Sequence, residues 1–197
     1  IRAINSRCAS RLIIHAALTG HLVLSTLHTN NAIGVIPRLI DLGVKPFLIP
    51  PTLRLAIAQR LVRKLCPDCK KKVKARPELK DLILQELGSL PESQKLNSDH
   101  DISGNPARYK LNSEIEIFEA QGCQKCNATG FSGRTGLFEV LEMTKSLAEV
   151  VLKEPSEAKI YQEALKQGMM TMKQDGILKV LAGVTTMEEV LGVAEEK

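Results

Sequence analysis

Aromatic side chains are scarce in this sequence: tryptophan is absent, and all aromatics together make up 3% of the 197 residues. With so few rings to stack on bases, single-stranded nucleic acid is not an expected ligand. Long apolar runs are missing too; none approaches the roughly 18 residues that a membrane-spanning helix needs. The first twenty residues carry Arg2, Arg7, Arg11, Cys8 and His15 without a compact apolar block, so they do not read as a signal peptide. There is no initiator methionine, and Ile1 opens in mid-pattern, as expected for a piece of a longer protein. No Gly-x-x-x-x-Gly-Lys-Ser/Thr occurs, so a backbone cradle for phosphates is not encoded in these residues. What remains is ordinary for a globular chain: 44% hydrophobic, 25% charged, and a modest net charge of +5. The length allows one sizeable core or two small ones.

The five cysteines are unevenly placed. Four form two C-x-x-C pairs, Cys66-Pro-Asp-Cys69 and Cys123-Gln-Lys-Cys126, and Cys8 stands alone. A C-x-x-C turn lets two thiolates reach one metal ion, and two such turns complete a tetrahedral zinc site with no open position. The 53 residues between the pairs exceed the usual spacing of about 15–20. Two disulfides or unrelated free thiols are the alternatives; disulfides need an oxidising compartment. From Arg60 to Arg76 eight basic residues accompany one acid, Asp68. Four thiolates on a dication carry a net negative charge that such lysines would offset. A plain solvated basic face, or contact with anionic lipid, accounts for the same run.

Three regions follow. Residues 1–65 predict a helix over 7–19 closed by Gly20, a buried strand over 21–27, a helix over 30–42 closed by Gly43, and a further element leading to Leu65; this is α/β grammar. Residues 66–140 hold the cysteine pairs, a helix over 77–88, a polar stretch of about 91–113 read as a flexible insertion, and an alternating strand over 114–119. Residues 141–197 predict helices over 145–153, 156–167, 171–182 and 186–195, punctuated by Pro155, Gly168 and Gly183.

Outside the cysteines, the chemistry candidate is Ser25-Thr26-Leu27-His28-Thr29. Ligands of parallel α/β sheets bind beyond the carboxyl ends of strands, so His28 is either a hydrogen-bond donor to a phosphate or a structural histidine. Ala16-Ala17-Leu18-Thr19-Gly20-His21-Leu22-Val23-Leu24-Ser25-Thr26-Leu27-His28-Thr29-Asn30 closely resembles the histidine box of the type II secretion and type IV pilus-extension ATPases. The resemblance continues in order through Arg38-Leu39, Asp41-Leu42-Gly43-Val44, Ala58-Gln59-Arg60-Leu61-Val62-Arg63, the cysteine pairs, Gly130-Phe131-Ser132-Gly133-Arg134-Thr135-Gly136, Glu139, and Ala182-Gly183-Val184-Thr185-Thr186.

That resemblance implies an α/β fold: the C-terminal part of a RecA-like P-loop ATPase domain, with a small zinc-binding subdomain and a helical C-terminal subdomain. It implies structural Zn2+ on Cys66, Cys69, Cys123 and Cys126, and ATP with Mg2+ in the complete family protein. His28, Thr29, Arg60 and Arg63 would lie near the nucleotide, with His28 as the catalytic candidate. A homo-hexamer would drive pilin or pseudopilin addition through an inner-membrane platform protein and other secretion or pilus components. The protein would be cytoplasmic and peripheral to the inner membrane, with no nucleic acid involved.

Residues 1–14 match the family poorly. Where it carries acidic residues before the histidine-box helix, this chain has Ala3 and Ser6, and the next family glutamate falls on Cys8. Lacking these groups and the phosphate loop, the chain is not expected to hydrolyse ATP alone. The alternative is a non-catalytic, zinc-stabilised docking module or a degenerate paralogue.

Overall fold

The computed structural model describes residues 2–88 and 115–194. The polar stretch over 91–113 lies outside them. The chain forms two compact units, Ile1–Ala58 with Glu139–Met169, and Gln59–Phe138 with Met170–Lys197. It passes from one to the other inside two long strands, β3 (Leu55–Leu65) and β6 (Phe131–Glu142), which pair with each other.

The first unit starts as a β-α-β element. Strand β1 (Arg2–Ile4) runs parallel to β2 (Ser25–Leu27), with Arg2 opposite Ser25 and Ile4 opposite Leu27. Parallel neighbours need a crossover, and helix α1 (Arg7–Leu18) supplies it. Ser6 caps α1 by accepting the Ala9 N–H at 3.2 Å. At the other end Gly20, at φ 88°, donates to the Ala17 carbonyl, and His21 donates to that of Ala16. This is the Schellman pair of bonds, and a residue with a Cβ is strained at such a φ. Helices α2 (Val35–Asp41) and α3 (Ile49–Thr52) follow, and the unit is completed by α5 (Lys145–Lys153) and α6 (Glu157–Lys166). Leu147 and Val151 on α5, and Ile160 and Ala164 on α6, are spaced by four and fully buried, with Ile36 and Ile49 in the same core. The strand expected over 21–27 is shorter than its apolar run: residues 21–24 lie outside the ladder, and Leu22 is 91% exposed.

The second unit contains the antiparallel pair β4 (Lys70–Lys74) and β5 (Glu116–Ala120), in a register that sets Lys70 opposite Ala120 and Lys74 opposite Glu116. Three helices accompany it: α4 (Pro77–Gly88), α7 (Met172–Leu181) and α8 (Met187–Ala194). Strand β4 was hidden in the sequence by its composition, since Lys-Lys-Lys-Val-Lys has no apolar alternation. Its pairing is instead supported by cross-strand charge, with Lys72 on Glu116 at 2.5 Å. Helices α7 and α8 touch at a glycine: a Cβ on Gly176 would lie 2.4 Å from Cγ1 of the fully buried Val190. Gly176→Leu should therefore force the helices apart and cost about 1–3 kcal/mol. Thermal unfolding of the variant followed by circular dichroism would check this; an unchanged transition would mean that the helices do not pack at this point.

Candidate functional site

The four paired cysteines converge in the second unit. Cys66 directly follows β3 and Cys69 directly precedes β4, so the intervening Pro67-Asp68 makes a tight turn in which the Lys70 N–H donates to the Cys66 carbonyl at 3.1 Å. The second turn is a 3-10 element, Gln124–Cys126, followed by two left-handed residues, Asn127 and Ala128. Gly122, at φ 90°, admits the return of the chain: a Cβ there would lie 2.6 Å from the Ala128 carbonyl oxygen. The Cys126 Sγ accepts backbone N–H groups from Cys123 and Gly130, each at 3.2 Å. The Cys66 N–H donates to the Gly130 carbonyl at 2.9 Å, which ties one turn to the other. Lys125 and Asp68, one from each turn, form a 2.6 Å ion pair.

Sulfur–sulfur separations are 4.0 Å for Cys66–Cys123, 3.8 Å for Cys69–Cys126 and 3.7 Å for Cys123–Cys126. All four sulfurs lie within 4.8 Å of one another. A disulfide requires about 2.05 Å. A tetrahedron with metal–sulfur bonds of about 2.3 Å has edges of about 3.8 Å, so the set fits a single ion. Cys66 and Cys126 are buried, and Cys8, exposed on α1, is not in the group. With protons as the only cations, the thiols differ sharply. The N–H bonds from Cys123 and Gly130 bring Cys126 down to about 6, whereas burial pushes Cys69 up to about 12. A close set of thiols of this kind ionises fully only around a cation.

The nucleotide candidates fall elsewhere. His28 stands one residue beyond the carboxyl end of β2 and is exposed. A cavity of about 290 Å³ in the first unit is lined at its polar side by Ser25, Thr26 and Thr29, and His28 is not part of its lining. Side-chain bonds help to hold the turn after His28. Thr29 Oγ1 donates to the Asn31 carbonyl, Asn31 Oδ1 accepts the Gly34 N–H, and Glu139 Oε1 accepts the Ala32 N–H at 2.9 Å. Arg60 and Arg63 belong to the second unit and are exposed on β3. Arg63 is committed there: its Nε and Nη2 donate to Glu189 Oε1 at 3.0 and 2.6 Å, and its ring-facing side lies 4.1 Å from the Phe131 centroid. The guanidinium holds the Glu189 carboxyl below the usual range through that bond.

Sequence reasoning placed Glu139 only within a family-like stretch. Its signal was available, however: in Leu137-Phe138-Glu139-Val140-Leu141 the acid occupies the inward register between two buried leucines. A charge in that register marks a side chain with a fixed partner. The Arg63–Glu189 pair, 126 residues apart, had no local signal.

Comparison with known proteins is consistent along the chain. The type II/IV secretion system protein family matches residues 5–192. The type IV pilus assembly ATPase PilB of Myxococcus xanthus is 38% identical over 179 residues, which is 91% of this chain and 28% of that protein. The type IV pilus assembly ATPase TfpB of Acinetobacter baylyi is 40% identical over 190 residues, 96% of this chain and 29% of its own length. The type II secretion system ATPase E of Vibrio cholerae is 37% identical over 187 residues, 95% and 32% respectively. The chain thus spans about a third or less of these relatives. The crystal structure of the Legionella pneumophila ATPase DotB superposes with a TM-score of 0.57 over 98% of this chain and 37% of its own, at 16% identity, a likeness of fold. The chain belongs to the type II/IV secretion system protein family, with the α/β fold of its ATPases.

Proposed function

We propose that this chain is the C-terminal, metal-stabilised part of a motor ATPase that powers pilin or pseudopilin assembly. The observation that carries the reading is the exposed His28 one residue past the end of a parallel strand, inside a chain that matches pilus and secretion ATPases along nearly its whole length. Ligands of such sheets sit at that strand end, and an exposed imidazole can donate to a phosphate there. Thr29 adds a hydroxyl on the same turn. Arg60 is the cationic candidate on β3. Arg63 serves that purpose only if it leaves Glu189.

Cys66, Cys69, Cys123 and Cys126 are proposed to hold Zn2+. Four thiolates close the coordination sphere, so the metal supplies folding energy rather than a reactive site. Hexamer formation, docking on an inner-membrane platform protein and a cytoplasmic, membrane-peripheral location complete the proposal. No helix among the described residues is long and apolar enough to cross a membrane.

Turnover needs more than these residues hold, since the phosphate-cradling motif is not among them. The 197-residue chain alone is expected to bind ATP weakly or not at all and to show no hydrolysis. A steady-state phosphate-release assay checks this, and turnover above buffer that disappears in His28→Ala would refute it. One observation favours the non-catalytic reading as well. Ser6, where the family carries an acid, is occupied as the cap of α1. If nucleotide remains unbound when longer family proteins are added, the docking-module reading replaces the motor reading.

A further inference from the structure

The residues flanking the first cysteine turn hold more than the metal site. Before Cys66, the Leu65 N–H donates to the Val184 carbonyl at 2.8 Å, and the Arg63 carbonyl accepts the hydroxyl of the fully buried Thr185 at 2.8 Å. The Arg63 N–H and guanidinium together clasp both carboxylate oxygens of Glu189. After Cys69, the Lys70 ammonium donates to the Gly183 carbonyl at 2.8 Å and lies 4.8 Å from the centroid of the Phe118 ring. That ring is packed so closely on Gly183 that a Cβ there would sit 2.7 Å from it. On the other cysteine turn, Gly130 binds Cys66 and Cys126 through its backbone, and the next residue, Phe131, is the ring under Arg63.

The bonds made by Arg63, Leu65 and Lys70 all end on the segment that joins α7 to α8 or on the first turn of α8. Every one also starts within three residues of Cys66 or Cys69, or beside the Gly130 bonds to Cys66 and Cys126. We infer that the metal centre is a conformational lock for the C-terminal helix pair. On the reading that the four thiolates bind zinc, the ion fixes the spacing of the two turns, and the turns fix the 183–189 segment. Losing the ion lets both turns move, and the bonds at Arg63, Leu65 and Lys70 lose their shared geometry together. A second attachment competes with this route. Gln174 Nε2 donates to the Glu86 carbonyl at 3.0 Å, and Lys173 pairs with Glu86 at 3.0 Å, so α7 also rests on α4. The lock therefore acts most strongly on α8.

The test is amide hydrogen exchange on the full chain, loaded with zinc and after removal of zinc by a strong chelator, with metal content measured in the same samples. Removal should speed exchange in 187–194 by about two orders of magnitude or more, while 147–151 and 160–164 in the first unit stay protected. Glu189→Ala should keep a full complement of zinc yet speed exchange in 187–194 by about tenfold. Full zinc loading followed by unchanged protection of 187–194 after chelation overturns the lock and leaves the zinc reading standing. Unchanged exchange in Glu189→Ala at full loading likewise overturns it. Protein that takes up no zinc overturns both.

Discussion

Cys66→Ser will release the bound metal and loosen the region between 66 and 140, together with α8, the largest effect expected of any single change here. Cys66 is 2% exposed, and its sulfur lies 4.0 Å from that of Cys123, so serine at this position leaves three thiolates around an ion that needs four. Binding free energy at a structural zinc site is folding free energy. A loss of ~4 kcal/mol or more is expected, lowering the melting temperature of a domain of this size by roughly 15 °C or more. Cys8→Ser, which removes the exposed thiol, should change neither metal content nor melting. Acid should do what the mutation does. Protons compete for thiolates, so metal is kept at neutral pH and lost as pH falls. Elemental analysis of protein purified without chelator decides the matter. Metal well below one ion per chain would end the zinc reading.

The local elements were readable because their signals are local. Helix α5 occupies 145–153 as its four-residue spacing of Leu147 and Val151 requires, and Gly20, Gly43, Gly168 and Gly183 all close helices with left-handed backbone. The pairing of C-x-x-C turns across 53 residues was readable because metal ligation imposes composition and spacing together. What the sequence concealed is what depends on distant partners. Strand β4 is four lysines and a valine, and its strand character comes from β5. Helices α7 and α8, which read as part of a helical tail, share one compact unit with the cysteine turns because Val184, Thr185 and Glu189 bond to β3. The family resemblance sets Arg63 near the nucleotide, but nothing local announces its carboxylate partner, which stands on a helix 126 residues away. No periodicity reports such a pair.

Glu139→Ala should be the most damaging substitution in the first unit. The side chain is 5% exposed, and its Oε1 accepts the N–H of Ala32, itself fully buried, at 2.9 Å. Removing the acceptor strands a buried donor, which costs about 1–3 kcal/mol. The loss of side-chain volume between Leu137 and Leu141 adds a cavity cost on top. The consequence is not only thermal. Ala32 lies in the turn that follows His28 and Thr29, and the bond to Glu139 holds that turn to β6. Amides of 29–34 should therefore exchange faster, and the His28 ring resonances should shift, although His28 does not touch Glu139. Glu139→Gln separates geometry from charge, because its amide oxygen can accept the same N–H. If the bond itself matters, the glutamine variant retains most of the stability and the native His28 resonances. If glutamine is as damaging as alanine, the carboxylate is required for its charge, and the positioning of His28 must be sought in its other contacts.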